Sequence, residues 1–366
     1  MKLNFTKSIF ILGALFVLSP ITKTVAQDFV NILRASQEDV TKYMDSYVEP
    51  AMYSFANGMA GGWYNTAKTH KPLGFDLTFT ANVANIPKNE RLFLFNPSDY
   101  GNLRLAGDAT SSQSADLPTI VGGNTNERLE LYGQYTAPDG NTYEYTSGDN
   151  FQAPDGVDVS SLPLAGVPAP TLQLGLGLIK NTDLKIRYGR AKGLELDDNT
   201  NNKYGVDIFG IALMHDFKQW IPGIKHLPLD MAILVGFSRF KTTIDFDESN
   251  VSFDAEGRAT LAANNTSIQA LVSKKLSILT LYGGLGYNIV SSGIKVDGTI
   301  VNYELTDINT GDPYVVEDPV DFTYSGGSTF RGTLGMRLKL AFLTLHSDYT
   351  FQQYNMLSVG LGITFR

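Results

Sequence analysis

Apolar and polar residues alternate at every second position over long stretches of the chain after residue 171. In the last ten residues one face is wholly apolar, and the opposite face carries Ser, Gly, Thr and Arg; the apolar set is Leu357, Val359, Leu361, Ile363 and Phe365. This period of two predicts β-strands with one apolar face each. The same pattern predicts eight further strands, at 172–178, 184–188, 204–217, 229–246, 265–276, 278–290, 330–340 and 343–351.

These strands fit two architectures. A soluble sandwich or barrel would turn the apolar faces inward, whereas a transmembrane barrel would turn them outward into lipid. Most of the strands have about nine to eighteen residues, whereas soluble strands usually have about five or six and a tilted membrane-spanning strand needs about 9–11. We therefore predict an all-β fold, an antiparallel transmembrane β-barrel of the bacterial outer membrane, and keep the soluble fold as the alternative.

The lengths of the connections support the barrel, because such barrels have short periplasmic turns and longer outer loops. If the final strand runs towards the periplasm, the short connections at 180–183, 274–277 and 340–341 all fall on the periplasmic side. The predicted outer loops are 192–203, 247–264 and 291–329, while 352–356 is a short outer loop and 218–228 a longer inner one.

The number of strands depends on the region before residue 171. A strand is predicted at 75–80 and another within 129–145, whereas 85–128 and 146–170 are rich in Pro, Gly, Asp and Ser and are predicted to be loops. The barrel domain, 65–366, then has ten, twelve or fourteen strands, and we favour twelve.

The first 26 residues have the features of a secretory signal peptide. Lys2 and Lys7 precede an apolar stretch at 9–18, and Thr24-Val25-Ala26 offers the small residues that signal peptidase accepts. The alternative is a retained membrane anchor. Cleavage would leave a mature chain that starts at Gln27.

Residues 27–64 show helical rather than strand periodicity. Ser36 and Asp39 resemble a helix N-terminal capping box, and Pro50 is expected to break or restart the helix. One helical face is apolar and consists of Val40, Tyr43, Met44, Tyr47 and Val48. We predict that this helix plugs the lumen or caps its periplasmic mouth; the alternative is an ordinary helix packed on the nearest apolar surface.

Composition excludes several classes of protein. The chain has no cysteine, so it contains no disulfide scaffold, Cys-ligated zinc site or thiol nucleophile. Its net charge is −8 and it has no basic block, which argues against a nucleic-acid partner. No apolar run after residue 26 approaches the ~18 residues of a membrane-spanning helix. We predict neither a metal nor a cofactor.

One histidine lies two positions from an aspartate on the polar face of a predicted strand. His346 and Asp348 could act as a catalytic base and its orienting carboxylate, but such side chains also form structural networks inside barrels. We predict the lumenal network and no enzyme. The acidic residues in the outer loops, such as Asp197 and Asp198, could bind calcium, although solvated loop charge is the preferred interpretation.

Two short segments carry a resemblance to a known family. They are Gly61-Gly62-Trp63-Tyr64-Asn65-Thr66-Ala67-Lys68, continuing to Leu77, and the turn Trp220-Ile221-Pro222-Gly223. Both resemble an uncharacterised family of bacterial outer-membrane barrels that have an N-terminal helix. The overall plan is also similar, in architecture only, to the long-chain fatty-acid transporters, whose barrel is plugged.

Three functions remain open at this stage. The first is a barrel that passes or binds small hydrophobic or amphipathic molecules, with the N-terminal helix as its gate. The second is a structural or surface-adhesive barrel with a closed lumen, and the third is a barrel enzyme. In each case the expected partners are outer-membrane lipid and the barrel insertion machinery, which would recognise the C-terminal strand because of its aromatic residue near the end, Phe365.

Overall fold

The computed structural model describes residues 32, 35–108, 110, 112–136, 142–194, 203–249, 253–306, 313–318, 320–325 and 328–365. The predicted signal segment 1–26 lies outside these residues. Among them, one long helix, α1 (Gln37–Met59), precedes all of the strands. No described helix combines the length and the apolar character needed to cross a bilayer.

Ten strands form one antiparallel ring. They are β1 (Phe75–Asn85), β7 (Gly166–Leu178), β8 (Thr182–Leu194), β9 (Lys203–Asp216), β10 (Asp230–Ser249), β11 (Phe253–Leu276), β12 (Leu279–Thr306), β15 (Thr329–Leu340), β16 (Leu343–Phe351) and β17 (Met356–Phe365). β1 pairs with both β17 and β7, and the pairing of β11 with β12 completes the circle. A closed ring leaves no free edge, so the predicted barrel is confirmed.

The remaining strands lie outside the ring. They are β2 (Leu92–Phe95), β3 (Leu103–Leu105), β4 (Ala115–Pro118), β5 (Arg128–Thr136), β6 (Thr142–Gln152), β13 (Pro313–Glu317) and β14 (Val320–Ser325). The favoured count of twelve is therefore wrong, and ten is correct. The strand predicted within 129–145 does exist, but β5 pairs with β3 and β6 in a separate sheet rather than with the ring.

The two faces of the ring differ as the alternation predicts. Leu334 and Leu361 point outward and are 66% and 58% exposed, whereas Thr344 and Thr350 point inward and are 2% and 0% exposed. Apolar side chains therefore form the outer surface, whereas the inner face carries polar side chains together with apolar ones that are buried inside the ring. This is the arrangement of a transmembrane barrel rather than of a soluble one.

The two ends of the ring have different connections. At the end that we call the turn end, β7–β8, β11–β12 and β15–β16 are joined by two or three residues. The opposite end, the loop end, carries the long connections from β1 to β7 and from β12 to β15, although β10 and β11 are joined there by three residues and the 13-residue connection from β9 to β10 is at the turn end. The predicted loops 247–264 and 291–329 need correction, because β10, β11 and β12 continue through much of them and reach 20, 24 and 28 residues. Alternating apolar side chains such as Ile294 and Val296 pack inward there and sustain the strands.

Residues 86–165 join β1 to β7 at the loop end. They were expected to be mostly loop, but they contain the β2–β4 pair and the β3–β5–β6 sheet. Phe95, Leu103, Leu117 and Leu129 from these short strands are fully buried in the same apolar cluster as α1. The strands β2, β3 and β4 have only three or four residues, so alternation along the sequence cannot be recognised in them. They are stabilised by packing in the apolar cluster.

Candidate functional site: the filled lumen

Residues 35–74, the N-terminal segment, run through the inside of the ring. α1 lies towards the loop end and packs against β1, β7, β10, β11, β12 and β14. The residues of the predicted apolar face, Val40, Tyr43, Met44, Tyr47 and Val48, are between 0% and 4% exposed. The helix continues through Pro50 without interruption, contrary to expectation, because packing on all sides offsets the ~3 kcal/mol that an interior proline costs.

At the loop end, α1 is anchored to residues 86–165. The Ser36 hydroxyl accepts a hydrogen bond from the Asp39 backbone N–H at 3.2 Å, as the capping prediction requires. The Asp39 carboxylate instead accepts from the backbone N–H groups of Gly101 and Asn102, at 2.8 and 2.7 Å. Farther along the helix, the Tyr47 hydroxyl donates to the Asp155 carbonyl at 2.6 Å.

A second acidic region lies nearly two turns along α1 from Asp39. Burial, and to a smaller extent the charge of Glu49, raise the pKa of Asp45 to about 6. Burial also raises the pKa of Glu49. Nearby, the Tyr354 hydroxyl donates to the Glu90 carboxylate, so the short loop at 352–356 reaches this cluster. Burial near the loop end of α1 therefore favours the protonated form of both Asp45 and Glu49.

At mid-depth, two arginines from opposite walls hold the end of α1. Arg187 donates to the carbonyls of Met59 and Gly61, at 2.7 and 2.6 Å, and Arg331 donates to the carbonyl of Ala60 at 3.1 Å. We call this arrangement the arginine clamp. Arg187 is on β8 and Arg331 on β15, which are five strands apart in a ring of ten. Both cations face the helix C-terminus, where the helix dipole is negative.

The residue that follows the clamp is inserted between the walls. The guanidinium carbon of Arg187 lies 3.6 Å from the centre of the Trp63 ring system, a cation–π contact. On the other side, Gly210 and Gly236 leave room for the indole, since a Cβ at either position would come within 3.0 or 3.2 Å of it. Trp63 belongs to one of the segments that carry the family resemblance, and the structure gives that residue a packing role.

At the turn end, His70 joins the segment to the ring. Its backbone N–H donates to Asp183 Oδ1 at 2.8 Å, and its Nδ1 lies 2.9 Å from Asp183 Oδ2. Its Nε2 lies 3.2 Å from the Thr364 hydroxyl and 3.4 Å from Asp76 Oδ1. We call these contacts the His70 latch. They connect the segment to β8, β17 and β1 just before the chain enters β1.

The predicted pair His346 and Asp348 lies in the lumen wall near these contacts. The two residues are 2% and 5% exposed. Asp348 accepts a hydrogen bond from the Tyr282 hydroxyl at 2.8 Å, whereas neither ring nitrogen of His346 has a hydrogen-bond partner in the described part of the chain. The pair is therefore placed inward, as expected, but Asp348 is bonded to a tyrosine. That the chain is no enzyme stays a prediction.

The sequence did not single out Arg187, Arg331, His70 or Asp183. A signal was present, because Lys185 and Arg187 occupy the inward positions of β8, and Arg331 occupies one of β15. A charged residue on the polar face of a membrane strand must face the lumen. The sequence did not indicate what these arginines bind. Their partners are backbone carbonyl groups at the end of α1, and every residue has such a group.

A family model covers residues 4–365 and is described as a family of unknown function, DUF6588. The chain belongs to this family. The predicted relationship to an uncharacterised barrel family is therefore confirmed, whereas the likeness to fatty-acid transporters stays a prediction. No curated protein matches the chain.

Solved outer-membrane barrels are similar in fold at low sequence identity. The translocator domain of the autotransporter NalP from Neisseria meningitidis is 10% identical, over 89% of this chain and 98% of that one, with a TM-score of 0.28. Ail, the attachment invasion locus protein of Yersinia pestis, is 14% identical over 50% and 97%, with a TM-score of 0.22. The outer-membrane transporter YddB from Escherichia coli is 11% identical over 80% and 41%, with a TM-score of 0.31. The DUF6588 chain is a β-barrel, because ten of its described strands close into one ring.

Proposed function

We propose that the chain is a gated outer-membrane barrel in which the N-terminal segment is the gate and small hydrophobic or amphipathic molecules pass or bind. The observation that carries the proposal is the arginine clamp, because it holds the middle of the lumenal segment by side chains alone. The wall does not need the segment, since its backbone hydrogen bonds are made strand to strand. Displacing the segment would therefore open a passage through an intact wall.

The character of the lumen supports an amphipathic solute. Towards the loop end, apolar side chains from the ring meet α1, as where the Phe55 and Phe240 rings pack with centroids 4.3 Å apart. Towards the turn end, one part of the inner wall is polar, including Thr344 and His346, both 2% exposed, while Met214, Leu234 and Leu271 form an apolar part. A molecule with one apolar and one polar part would therefore find matching surroundings for both parts inside the ring.

The gating proposal is tested by removing α1. Deleting residues 36–60 should leave a folded ring, seen as a heat-modifiable band on a gel, with a conductance several times that of the full chain. Unchanged conductance of a folded deletion variant would contradict the gate, since the lumen would then be blocked by something other than α1.

A reversible lock provides the matched control. A Cβ at Gly58 would lie 4.0 Å from the Cβ of Ala84 and 2.9 Å from that of Ala169, and disulfides need a Cβ separation of about 3.5–4.5 Å. Gly58→Cys with Ala84→Cys, and Ala169→Gly to make room, should join α1 to β1 in this cysteine-free chain. Oxidation should suppress any channel opening and reduction should restore it.

A closed, surface-adhesive barrel is the second candidate. It is favoured by the extended β10, β11 and β12, which together with β13, β14 and residues 86–165 form a large structure at the loop end. Full-length protein that never conducts, even after Arg187→Ala releases the clamp, would favour this candidate over the gate.

A further inference from the structure

A groove lies on the outward face of the ring. It has a volume of about 560 Å³ and crosses β10, β11, β12, β15 and β16. The groove exists because three successive strands have little or no side chain at an outward position, namely Ala270, Gly283 and Gly332. Leu285 and Leu334, which are 73% and 66% exposed, form its walls.

The side chains of Leu285 and Leu334 extend over Gly332 and Gly283 but do not fill the groove. A Cβ at Gly332 would be 3.5 Å from Leu285 Cδ2, and one at Gly283 would be 3.4 Å from Leu334 Cδ2. Each leucine thus leans across the neighbouring glycine, and the space between the two remains open. Every outward side chain around the groove is apolar, so its occupant must be apolar too.

The length of the groove matches one lipid chain. From Met231 on β10 to Phe351 on β16 it crosses five strands, and the four spacings between them, at ~4.8 Å each, give a length of roughly 19 Å. Half of the hydrocarbon core of a bilayer is about 15 Å thick. Because the strands are tilted by ~35–45°, a groove that crosses them also descends through the bilayer. An acyl chain can therefore lie along it within one leaflet.

Positive charge lies beside the groove at the turn end. Lys274 is two residues beyond Val272, a lining residue, and both side chains point outward on β11. Lys275 follows at the edge of the ring, and both lysines are exposed. Ammonium groups at a membrane surface attract anionic lipid headgroups. Here they stand where the phosphate of a lipid seated in the groove would emerge.

We propose that this groove is a binding site for one phospholipid, with an acyl chain over Gly283 and Gly332 and an anionic headgroup at Lys274 and Lys275. The site is independent of the gate, because it is on the opposite side of the wall and needs only that the ring spans the membrane. It would hold this lipid while the lipids around it exchange.

The acyl-chain part is tested by filling the groove. Ala270→Leu with Gly332→Leu should still give the folded, heat-modifiable band, because both positions face lipid. Native mass spectrometry with added phosphatidylglycerol should show one retained lipid on the unmodified barrel and at least about tenfold less on this variant, since each excluded methylene weakens binding. Ala81→Leu, an outward position on β1 across the ring, is the matched control and should retain the lipid. Equal retention by the filled variant and this control would overturn the proposal.

The headgroup part is tested separately. Lys274→Gln with Lys275→Gln should lower retention of phosphatidylglycerol by about tenfold and leave phosphatidylcholine unchanged, whereas Lys71→Gln with Lys180→Gln should change neither. If all lipids are lost equally from every variant, the lipid is only part of the general annulus and the site does not exist. A species of twice the mass that disappears when the groove is filled would identify a second copy of the chain as the occupant instead.

Discussion

The imidazole of His346 lies directly over Gly360, its register partner on the neighbouring strand. A Cβ at Gly360 would be 2.1 Å from His346 Cε1 and 2.5 Å from its Nε2. The histidine that the sequence singled out for possible chemistry thus occupies space that exists only because residue 360 has no side chain. Both residues are in the last two strands, β16 and β17, which pair with each other in the ring.

The contact between these residues predicts a rescue. Gly360→Ala should impair assembly, because the methyl group overlaps a buried ring and overpacking typically costs about 1–3 kcal/mol. Adding His346→Ala should restore the folded band and the thermal midpoint, since it removes the ring. His346→Ala alone is the control. If the double variant is no better than Gly360→Ala, the two side chains do not share that space.

The apolar outward face predicts that a charged side chain at position 361 prevents folding. Leu361→Arg should abolish the heat-modifiable folded band, because a basic side chain near the membrane midplane costs about 2–4 kcal/mol. Leu361→Met at the same position keeps an apolar surface and should fold normally. Normal folding of the arginine variant would mean that this face does not meet lipid.

The arginine clamp predicts that charge alone is insufficient at position 187. Arg187→Lys keeps the positive charge but lacks the planar guanidinium that donates to the Met59 and Gly61 carbonyls in two fixed directions and stacks on Trp63. We expect more frequent channel openings for Arg187→Lys and more again for Arg187→Ala, measured in planar bilayers. The locked Gly58→Cys, Ala84→Cys, Ala169→Gly background should suppress these openings when oxidised. Openings that persist there would come from the wall and not from the segment.

The carboxylates beside α1 predict a pH dependence. The pKa of Asp45 is about 6 in the folded chain, raised by burial from an ordinary value of 3.8. The folded state therefore holds this proton more tightly than the unfolded one, so its contribution to stability is complete below about pH 4 and is lost as the pH rises through 6. Because the residue is partly exposed, solvent reduces the size of the effect.

This dependence can be measured as protease sensitivity. The loop-end half of α1 should be cleaved faster at pH 7.5 than at pH 5, after correction for the activity of the protease. Asp45→Asn should flatten the difference, whereas Asp99→Asn, on the exposed surface, should not. A difference of the same size in Asp45→Asn would assign the pH dependence to another group.

Part of this fold can be read from the sequence because it depends on local periodicity. The outward residues around Leu361 repeat with a period of two, and the buried residues around Tyr43 repeat with a period of about 3.6. Each period predicts both the type of element and the face that is apolar. The strand β5 has the same local pattern as the ring strands, yet it pairs elsewhere, because alternation specifies a face and not a partner. The count of strands was wrong for that reason.

The site was harder to predict for a related physical reason. Arg187 and Arg331 come together only when the ring closes, and they bind carbonyl groups, which every residue has. The extension of β12 to Thr306 likewise depends on packing around Ile294 at the loop end. The arginine clamp and the length of β12 both depend on pairing between residues far apart in the sequence. The local pattern of a single sequence does not show which distant residues pair.

The path of the N-terminal segment sets an order of events in assembly. It enters at the loop end, where Ser36 meets Asn102, and leaves at the turn end, where Phe75 pairs with Phe365. Once β1 has paired with both of its neighbours, the segment passes through a closed ring, from Ser36 at the loop end to Phe75 at the turn end. Either the ring closes around a segment that already lies across the partly assembled sheet, or the segment must be pulled through a ring that has already closed. The positions of Arg187 and Arg331 on opposite sides of the ring favour the first route. Either arginine can bind the segment before the strand that carries the other has joined the sheet.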